Sequence, residues 1–436
     1  MQRQKTVAKW LVIILLLTVA VGAYIMYDAL YVTGGNTAQG DIAGEELPSP
    51  DDTAPPSPDP PVYTTLPRPS GTYAGITVAH AGGEGNEKVL DCVMTGERTH
   101  LFFLSRSEGY DCRGEGMYIA VFSAEELLSV TRFAGADAVF GGAKLTADGV
   151  AAAVSEGEEG KLFLFDSAGG VKAQAALPAF SSAFMLLASG RLNIFAECAD
   201  GLNFIEVQEG FRPALSPFRL PSSARVREGF AIGDSFTLAA SGDDGTLILT
   251  FSQNSGFKCA KSYPQTEFRQ IVPVAGEDGA AFVMLAATHD GVMLAVLSAE
   301  GGEIAATVRE GSRDAAVFGD GVSVTLVRSG ITETFCRHLD LISSSPTSLI
   351  LGEVTAARGD GDTRVIVATE GGMTTVYSAS SESEFLPLLQ CGPAEGDAVI
   401  EIAGDTLIAA ISTTSSDGIF FENFGGSDAY LVKMPL

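Results

Sequence analysis

Turn signals recur along this chain at a regular interval, and they limit its fold more than any other feature. One series of turn dipeptides runs from Asp148-Gly149 to Gly404-Asp405 in steps of 40 to 45 residues. A second series, from Glu159-Gly160 to Asp417-Gly418, follows about 11 residues behind the first and stays in phase with it. Tight hairpin turns need residues that tolerate positive φ, so these dipeptides indicate repeated β-hairpins.

Short apolar runs separate the turns. Residues 236–240 (FTLAA) and 282–286 (FVMLA) lie between paired turns, and residues 247–251 (LILTF) follow a second turn. Residues 145–153 show no apolar period of 3.6, which argues against helices. Each unit of about 43 residues is therefore predicted to form four antiparallel strands. A repeat of this length and content is typical of a β-propeller.

Counting the units gives an all-β fold of about eight four-stranded blades, with seven as the alternative. The first central hairpin joins residues 101–104 to 118–122, and the last unit stops after a third strand at residues 430–433. A further strand is predicted at residues 72–79, before the first unit. We expect it to complete the last blade and close the ring, because an open ring leaves unpaired strand edges. The propeller domain is thus predicted to span residues 71–436.

Charge and composition exclude some classes of protein. The 436 residues include 54 acidic and 27 basic side chains, a formal net charge of −27. Such a charge repels a phosphate backbone, so nucleic acid is not an expected partner. The hydrophobic fraction of 46% supports a buried core, which excludes general disorder.

The N-terminus has the pattern of a membrane anchor. An uncharged run at residues 10–27 (WLVIILLLTVAVGAYIMY) follows three basic residues. A helix of this length covers about 27 Å, close to the roughly 30 Å of a hydrocarbon core. We expect residues 1–9 in the cytoplasm, residues 10–31 as a single-pass signal-anchor helix in the cell membrane, and the rest outside the cytoplasm. The alternative is a secreted protein cleaved after Ala23, where small residues precede the bond.

Residues 32–70 have the composition of a disordered stalk. Positions 33–70 hold nine of the chain's 19 prolines, six acidic residues and one basic residue. This composition buries too little apolar surface to fold, and its prolines favour the extended polyproline II conformation. At about 3.1 Å per residue, the stalk could reach on the order of 100 Å.

The C-terminal residues 424–433 (FGGSDAYLVK) resemble the GGSDAF-V-K-L pattern of the bacterial repeats called SBBP. The resemblance covers one unit of about eight. It implies a β-propeller at the cell surface or secreted, without one shared activity. The single tryptophan, Trp10, precedes the repeats, so the chain differs from WD repeats, sialidase Asp boxes and quinoprotein dehydrogenases, and a quinone cofactor is not expected.

Two connections between second and third strands exceed the repeat length. They are residues 107–116 (SEGYDCRGEG) in blade 1 and 415–428 (SSDGIFFENFGGSD) in blade 8. Ring closure makes these blades neighbours, so both loops should lie on one rim, where aromatic anchors among polar groups suit ligand recognition. Alternatively, the phenylalanines fill the seam of the ring. The candidate binding residues are Tyr110, Asp111, Arg113, Phe420, Phe421, Glu422, Asn423 and Phe424.

Catalytic and metal-binding motifs do not stand out. The four histidines fall in different units without metal-ligand spacing, and the sequence has neither a G-x-S-x-G elbow nor a phosphate-binding P-loop. The acidic turns at residues 242–245 and 359–362 offer oxygen ligands for Ca²⁺ but lack the spacing of a calcium loop. No cofactor is therefore expected, with Ca²⁺ as the one candidate ion.

Among the six cysteines, only Cys92 and Cys112 fall in the same blade. Export would permit a disulfide between them, which would tether the blade-1 loop. The alternative is that both are small buried hydrophobic residues.

Two classes of function remain. The favoured one is a membrane-tethered binding or protein-interaction scaffold that holds a protein or glycan on one propeller face at the cell surface. The alternative is an extracellular hydrolase or lyase with paired acidic residues in the central funnel. Strand register decides which side chains face the funnel, so the sequence does not place those acids.

Overall fold

The computed structural model describes residues 71–73, 75–274, 279–380, 384–392, 398–414, 420 and 426–436. These residues form an eight-bladed β-propeller of antiparallel sheets. Seven blades have four strands, and the eighth has five. The predicted fold class is confirmed, with eight blades rather than seven.

The first four blades follow the chain order, with the innermost strand first. Blade 1 comprises β3 (Glu87–Thr95), β4 (Arg98–Ser105), β5 (Gly116–Ser123) and β6 (Glu126–Ala134). Blade 2 comprises β7 (Val139–Thr146), β8 (Gly149–Glu156), β9 (Glu159–Phe165) and β10 (Val171–Pro178). Blade 3 comprises β11 (Ser182–Ala188), β12 (Arg191–Cys198), β13 (Gly201–Gln208) and β14 (Arg212–Leu220). Blade 4 comprises β15 (Arg225–Ile232), β16 (Ser235–Gly242), β17 (Gly245–Ser252) and β18 (Gly256–Pro264).

The next three blades repeat this order, and the last combines both ends of the domain. Blade 5 comprises β19 (Glu267–Pro273), β20 (Ala280–Ala287), β21 (Gly291–Ser298) and β22 (Glu303–Glu310). Blade 6 comprises β23 (Ala315–Gly319), β24 (Ser323–Arg328), β25 (Ile331–Cys336) and β26 (Leu341–Pro346). Blade 7 comprises β27 (Glu353–Asp360), β28 (Thr363–Glu370), β29 (Met373–Ser380) and β30 (Leu386–Cys391). Blade 8 comprises β31 (Val399–Ala403), β32 (Thr406–Thr413), β33 (Asp428–Pro435), β2 (Ile76–Ala81) and β1 (Gly71–Tyr73).

The ring closes where the N-terminal strand pairs with the C-terminal strand. Five residue pairs join β2 to β33, from Thr77 with Lys433 to Ala81 with Ala429. This confirms the predicted closure. The predicted strand at residues 72–79 is in fact a hairpin of β1 and β2, because Gly75 adopts a φ of +87° and turns the chain back.

The hydrophobic core lies between neighbouring blades. Successive residues of a strand point to opposite faces of the sheet. In β20, Val283 and Leu285 therefore pack against blade 6, while Met284 and Ala286 pack against blade 4. Because both faces of each central strand are covered, these strands are continuous apolar runs, as the sequence showed.

Within the described part of the chain, no helix has the length and apolarity needed to cross a membrane. The predicted anchor helix at residues 10–31 and the stalk at 32–70 lie outside the described residues.

Candidate functional site

The long loop of blade 1, residues 106–115, is tied to the segment that follows the closing strand. The Asp111 backbone N–H donates to Gly82 O (3.2 Å), and Gly109 and Cys112 exchange two backbone hydrogen bonds of 3.0 and 2.9 Å. Tyr110 lies at the corner of this turn with a φ of +48°, a backbone conformation that residues other than glycine rarely adopt. The loop therefore holds a fixed shape and presents Tyr110 and Asp111 together.

This loop forms one wall of an open cavity of about 500 Å³, which we call the blade-1 groove. The other wall is the outermost strand of the blade, β6, with Arg132 exposed and Leu128 42% exposed. Arg113 from the loop is also exposed. The residues that line the groove are Tyr110, Asp111, Arg113, Tyr118 and residues 127–132.

Tyr118 anchors the base of this loop. Its hydroxyl donates to Gly114 O at 2.5 Å, and burial raises the pKa of Tyr118 to about 12. The phenol is therefore protonated at neutral pH and acts as a structural donor rather than as an acid or base.

The outer strand of blade 1 also offers backbone hydrogen-bonding groups. Within the described sheet, β6 pairs with β5 alone. An edge strand of this kind presents N–H and C=O groups to which an extended peptide can add as a further strand. The groove thus combines two cationic side chains, one acidic side chain (Asp111), two tyrosines, apolar side chains and a strand edge.

The structure brings together three of the predicted site residues, Tyr110, Asp111 and Arg113. Phe420 is 1% exposed and contributes to the hydrophobic cluster between blades 7 and 8, with its ring centroid 4.8 Å from that of Tyr430. This position matches the alternative interpretation, in which phenylalanine fills the seam. The remaining predicted residues lie outside the described part of the chain: Phe421, Glu422, Asn423 and Phe424.

A buried polar cluster lies beside the seam, and we call it the closure cluster: His80, Glu87, Ser105, Ser107, Ser427 and Asp428. His80 Nε2 is 3.1 Å from Asp428 Oδ2, and both side chains are fully buried. Glu87 Oε1 accepts hydrogen bonds from Ser105 Oγ (2.8 Å) and Ser107 Oγ (3.0 Å). Burial, opposed by these serines and supported by the charge of Asp428, raises the pKa of Glu87 to about 7.

Three side chains in the central channel join neighbouring blades. Asp91 Oδ2 accepts from the Ala143 N–H at 2.8 Å, and Glu228 Oε2 accepts from the Ile271 N–H at 3.2 Å. Gln270 both accepts from the Val317 N–H and donates to Val317 O, each at 3.0 Å. Each of the three follows a bulge in an innermost strand, which turns its side chain toward the next blade.

Further charges surround these channel residues. Burial raises the pKa of Asp91, Glu228 and Glu401, to about 7 for Glu228. The positive charge of Lys144 opposes the shift in all three, and that of Arg358 opposes it in Glu228 and Glu401. The channel therefore holds acidic and basic groups together, and two of its acids already bind backbone N–H groups.

The candidate disulfide between Cys92 and Cys112 is not formed in the structure. Both residues are free thiols, buried in the hydrophobic cluster between blades 8 and 1. Burial raises the pKa of Cys112 to about 12 and raises that of Cys92 as well. The two side chains thus pack as small hydrophobic residues, the alternative interpretation above.

The candidate calcium turns are both tight hairpins. Gly242 pairs with Gly245, and Asp360 pairs with Thr363. The carboxylate of Asp243 accepts from Ser223 Oγ at 3.0 Å. Turn geometry therefore accounts for these acidic residues.

Comparison with solved structures places the chain among propellers. The propeller of Dos1 superimposes with a TM-score of 0.54 and 11% identity, over 81% of this chain and 95% of that one. A prolyl endopeptidase gives a TM-score of 0.46 and 11% identity, over 76% of this chain and 55% of that one. Polysaccharide lyase Uly1 gives a TM-score of 0.41 and 10% identity, over 70% of this chain and 92% of that one.

At 11% identity, the likeness to the Dos1 propeller shows the fold alone. No protein-family model matches the sequence, and a comparison with curated proteins gives no match. The resemblance of residues 424–433 to SBBP repeats therefore remains a local one, and the chain is an eight-bladed β-propeller whose family is not shown.

Proposed function

We propose that the protein is a binding scaffold that takes up an extended acidic segment of a partner protein in the blade-1 groove. We further propose that residues 10–31 anchor it in the cell membrane with the propeller outside the cytoplasm. The observation that carries the binding proposal is the coincidence of two exposed arginines and a strand edge in one groove of a strongly acidic protein.

Arg113 and Arg132 favour a carboxylate-bearing ligand. The guanidinium group is a planar fork of donors that matches a carboxylate, and such charge-assisted hydrogen bonds are about twice as strong as neutral ones. The net charge of −27 would otherwise repel an acidic ligand. A pair of arginines in one groove therefore supports specific attraction at that place.

The edge of β6 favours an extended polypeptide over a compact ligand. Strand addition supplies main-chain hydrogen bonds along the groove, while alternate side chains of the peptide reach its walls. Leu128 and Tyr110 also line the groove and offer apolar contact to such a peptide. A peptide that alternates acidic and β-branched residues satisfies all of these groups.

A fluorescent alternating Glu-Val decapeptide should bind the full chain, and the double variant Arg113→Gln/Arg132→Gln should weaken its affinity at least tenfold. Loss of charge-assisted hydrogen bonds of about 1.5 kcal/mol or more accounts for this factor. Binding is measured by fluorescence anisotropy at 50 and 200 mM salt. The matched control is Arg225→Gln, an exposed arginine at the start of β15.

Equal binding by the double variant and the control would contradict the assignment of the groove. Equal binding of a Lys-Val decapeptide would contradict the proposed charge preference. If a carboxylated glycan binds in the groove and the peptide does not, the ligand of the groove is a glycan rather than a protein.

The proposed anchor has its own test. Full-length protein should remain with membranes after extraction at alkaline pH, because an apolar helix of this length inserts in the bilayer. A soluble protein whose measured mass matches a chain that starts at Tyr24 would show cleavage after Ala23 instead.

The alternative function, a hydrolase or lyase, would use Asp91, Glu228 and Glu401 in the central channel. Their raised pKa values resemble those of acid–base catalysts. Asp91 and Glu228, however, bind backbone N–H groups of the next blade. The positive charge of Lys144 acts on both, and that of Arg358 acts on Glu228. These contacts support a structural role, so the scaffold is the better proposal.

A further inference from the structure

The two faces of blade 6 differ in chemistry. Toward blade 5, β24 presents Val324 and Leu326, which pack in a hydrophobic cluster with Leu285, Leu294 and Phe335. Toward blade 7, the same strand presents Thr325 and Val327, and Val327 packs in a hydrophobic cluster with Phe318 and Ile366. An open cavity of about 470 Å³ lies on this second face.

Hydroxyl groups line this cavity, which we call the hydroxyl groove. Thr325 lies opposite Thr334, and Thr332 lies opposite Ser345, so the four form two cross-strand pairs. Among the described residues, none of these four hydroxyls makes a hydrogen bond, although Thr325 is only 2% exposed. Polar groups in folded proteins normally find partners. Four hydroxyls that face one cavity therefore suit a ligand with many donors and acceptors.

Three charged residues also line the hydroxyl groove: Asp320, Arg364 and Glu384. The guanidinium carbon of Arg364 lies 5.8 Å from the centre of the Phe318 ring, and Arg364 makes no ion pair within the described parts of the chain. Burial lowers the pKa of Arg364, with the charges of Asp320 and Asp362 opposing this shift. Arg364 is thus a half-buried cation that lines the groove.

Asp320 is fixed in place nearby. Its Oδ1 accepts from the Val322 N–H (2.9 Å) and the Ser323 N–H (2.6 Å), and its Oδ2 accepts from Ser323 Oγ (2.7 Å). Burial raises its pKa, but the hydrogen bonds from Ser323 and Val322 outweigh burial and hold the pKa of Asp320 below its usual range. The group is therefore an ionised acceptor at neutral pH.

We propose that the hydroxyl groove binds an acidic sugar residue. Its carboxylate would pair with Arg364, its ring hydroxyls would exchange hydrogen bonds with the unpartnered threonine and serine hydroxyls and with Asp320, and its apolar face would lie on Phe385, which also lines the cavity. The volume is within the range of small-molecule sites, about 300–1,000 Å³. This site is separate from the blade-1 groove and does not depend on the function proposed for it.

The test is a calorimetric titration of the full chain with three probes: D-glucuronate, D-glucose and acetate. D-glucuronate should bind with a Kd on the order of 1 mM, as expected for a ligand of this size. D-glucose lacks the carboxylate and acetate lacks the hydroxyls, so each should bind at least tenfold more weakly.

Arg364→Gln should weaken D-glucuronate binding at least tenfold, and Thr334→Val should weaken it several-fold. The matched controls are Arg225→Gln on blade 4 and Thr307→Val on the outer strand of blade 5, both of which should leave binding unchanged. Thermal unfolding of each variant shows that it is folded. The double variant Arg113→Gln/Arg132→Gln should bind D-glucuronate normally, which separates this site from the blade-1 groove.

Several outcomes would overturn the proposal. The first is the absence of D-glucuronate binding at 50 mM probe, about fifty times the expected Kd. The second is acetate binding as tight as that of D-glucuronate. The third is full D-glucuronate binding by folded Arg364→Gln. Loss of D-glucuronate binding in the double variant of the blade-1 groove would likewise place the sugar there instead.

Discussion

Replacing Tyr430 by alanine should lower the free energy of unfolding by about 3–5 kcal/mol, the range for a large buried aromatic side chain. Tyr430 is fully buried, and its ring lies 4.8 Å from the rings of both His80 and Phe420. It also lies opposite His80 in the pairing that closes the ring. The measurement is urea denaturation at fixed pH.

The same substitution should loosen the seam more than the rest of the ring. Hydrogen exchange of the β2 amides should accelerate in Tyr430→Ala, because β2 is held to the domain by β33. Phe251→Ala in blade 4 is the matched control, since Phe251 is equally buried and lies far from the seam in the sequence of blades. If the β2 amides exchange at the same rate in Tyr430→Ala and Phe251→Ala, Tyr430 has no special role in ring closure.

Stability should fall as the pH rises from about 5 to 8, and Glu87→Gln should remove much of this dependence. The pKa of Glu87 rises from 4.5 to about 7 on folding, so between these values the folded state binds more protons than the unfolded state. Its contribution is fully present below about pH 4.5 and is lost as the pH rises through 7. At 1.36 kcal/mol per pKa unit, it amounts to about 3 kcal/mol.

Several groups face Glu87, and the variant keeps them unchanged. Asp428 supports the raised pKa and is itself paired with His80, while Ser105 and Ser107 donate to the carboxylate. Glutamine can still accept from these serines, but it cannot ionise. Glu87→Gln should therefore be more stable than the unmodified protein above pH 7.

The control for this pH experiment is Glu158→Gln, which removes one negative charge at an exposed turn. It corrects for the general repulsion within an acidic protein. Chemical denaturation is measured at intervals from pH 5 to 8. Parallel pH profiles for Glu87→Gln and Glu158→Gln would show that Glu87 does not titrate in this window. The burial of Glu228 predicts a residual slope of the same sign.

The repeated turns made the propeller predictable from the sequence. Gly149, Gly233 and Gly404 do adopt positive φ at the turns where the sequence placed them. Their regular spacing predicted about eight blades, with seven as the alternative, and the incomplete last unit indicated how the ring closes. These features are local, since each turn depends on two or three adjacent residues.

The groups that define the candidate sites depend on contacts between distant blades. Asp91 and Glu228 reach backbone N–H groups of the next blade because bulges shift the register of their strands, and nothing in the local sequence marks those bulges. Arg113 and Arg132 line one groove because the long loop of blade 1 lies beside the outer strand of that blade. Thr325 and Thr334 look like ordinary strand residues until their pairing places both hydroxyls in one cavity.

The closing strand also has a mechanical consequence. The chain enters the propeller at β1 and β2, so a pulling force on the N-terminal segment acts first on these two strands. The strand pairings that resist this force are three residue pairs between β1 and β2 and five between β2 and β33. Under tension, the ring would therefore begin to open at its seam, while the other blades keep their own strands paired.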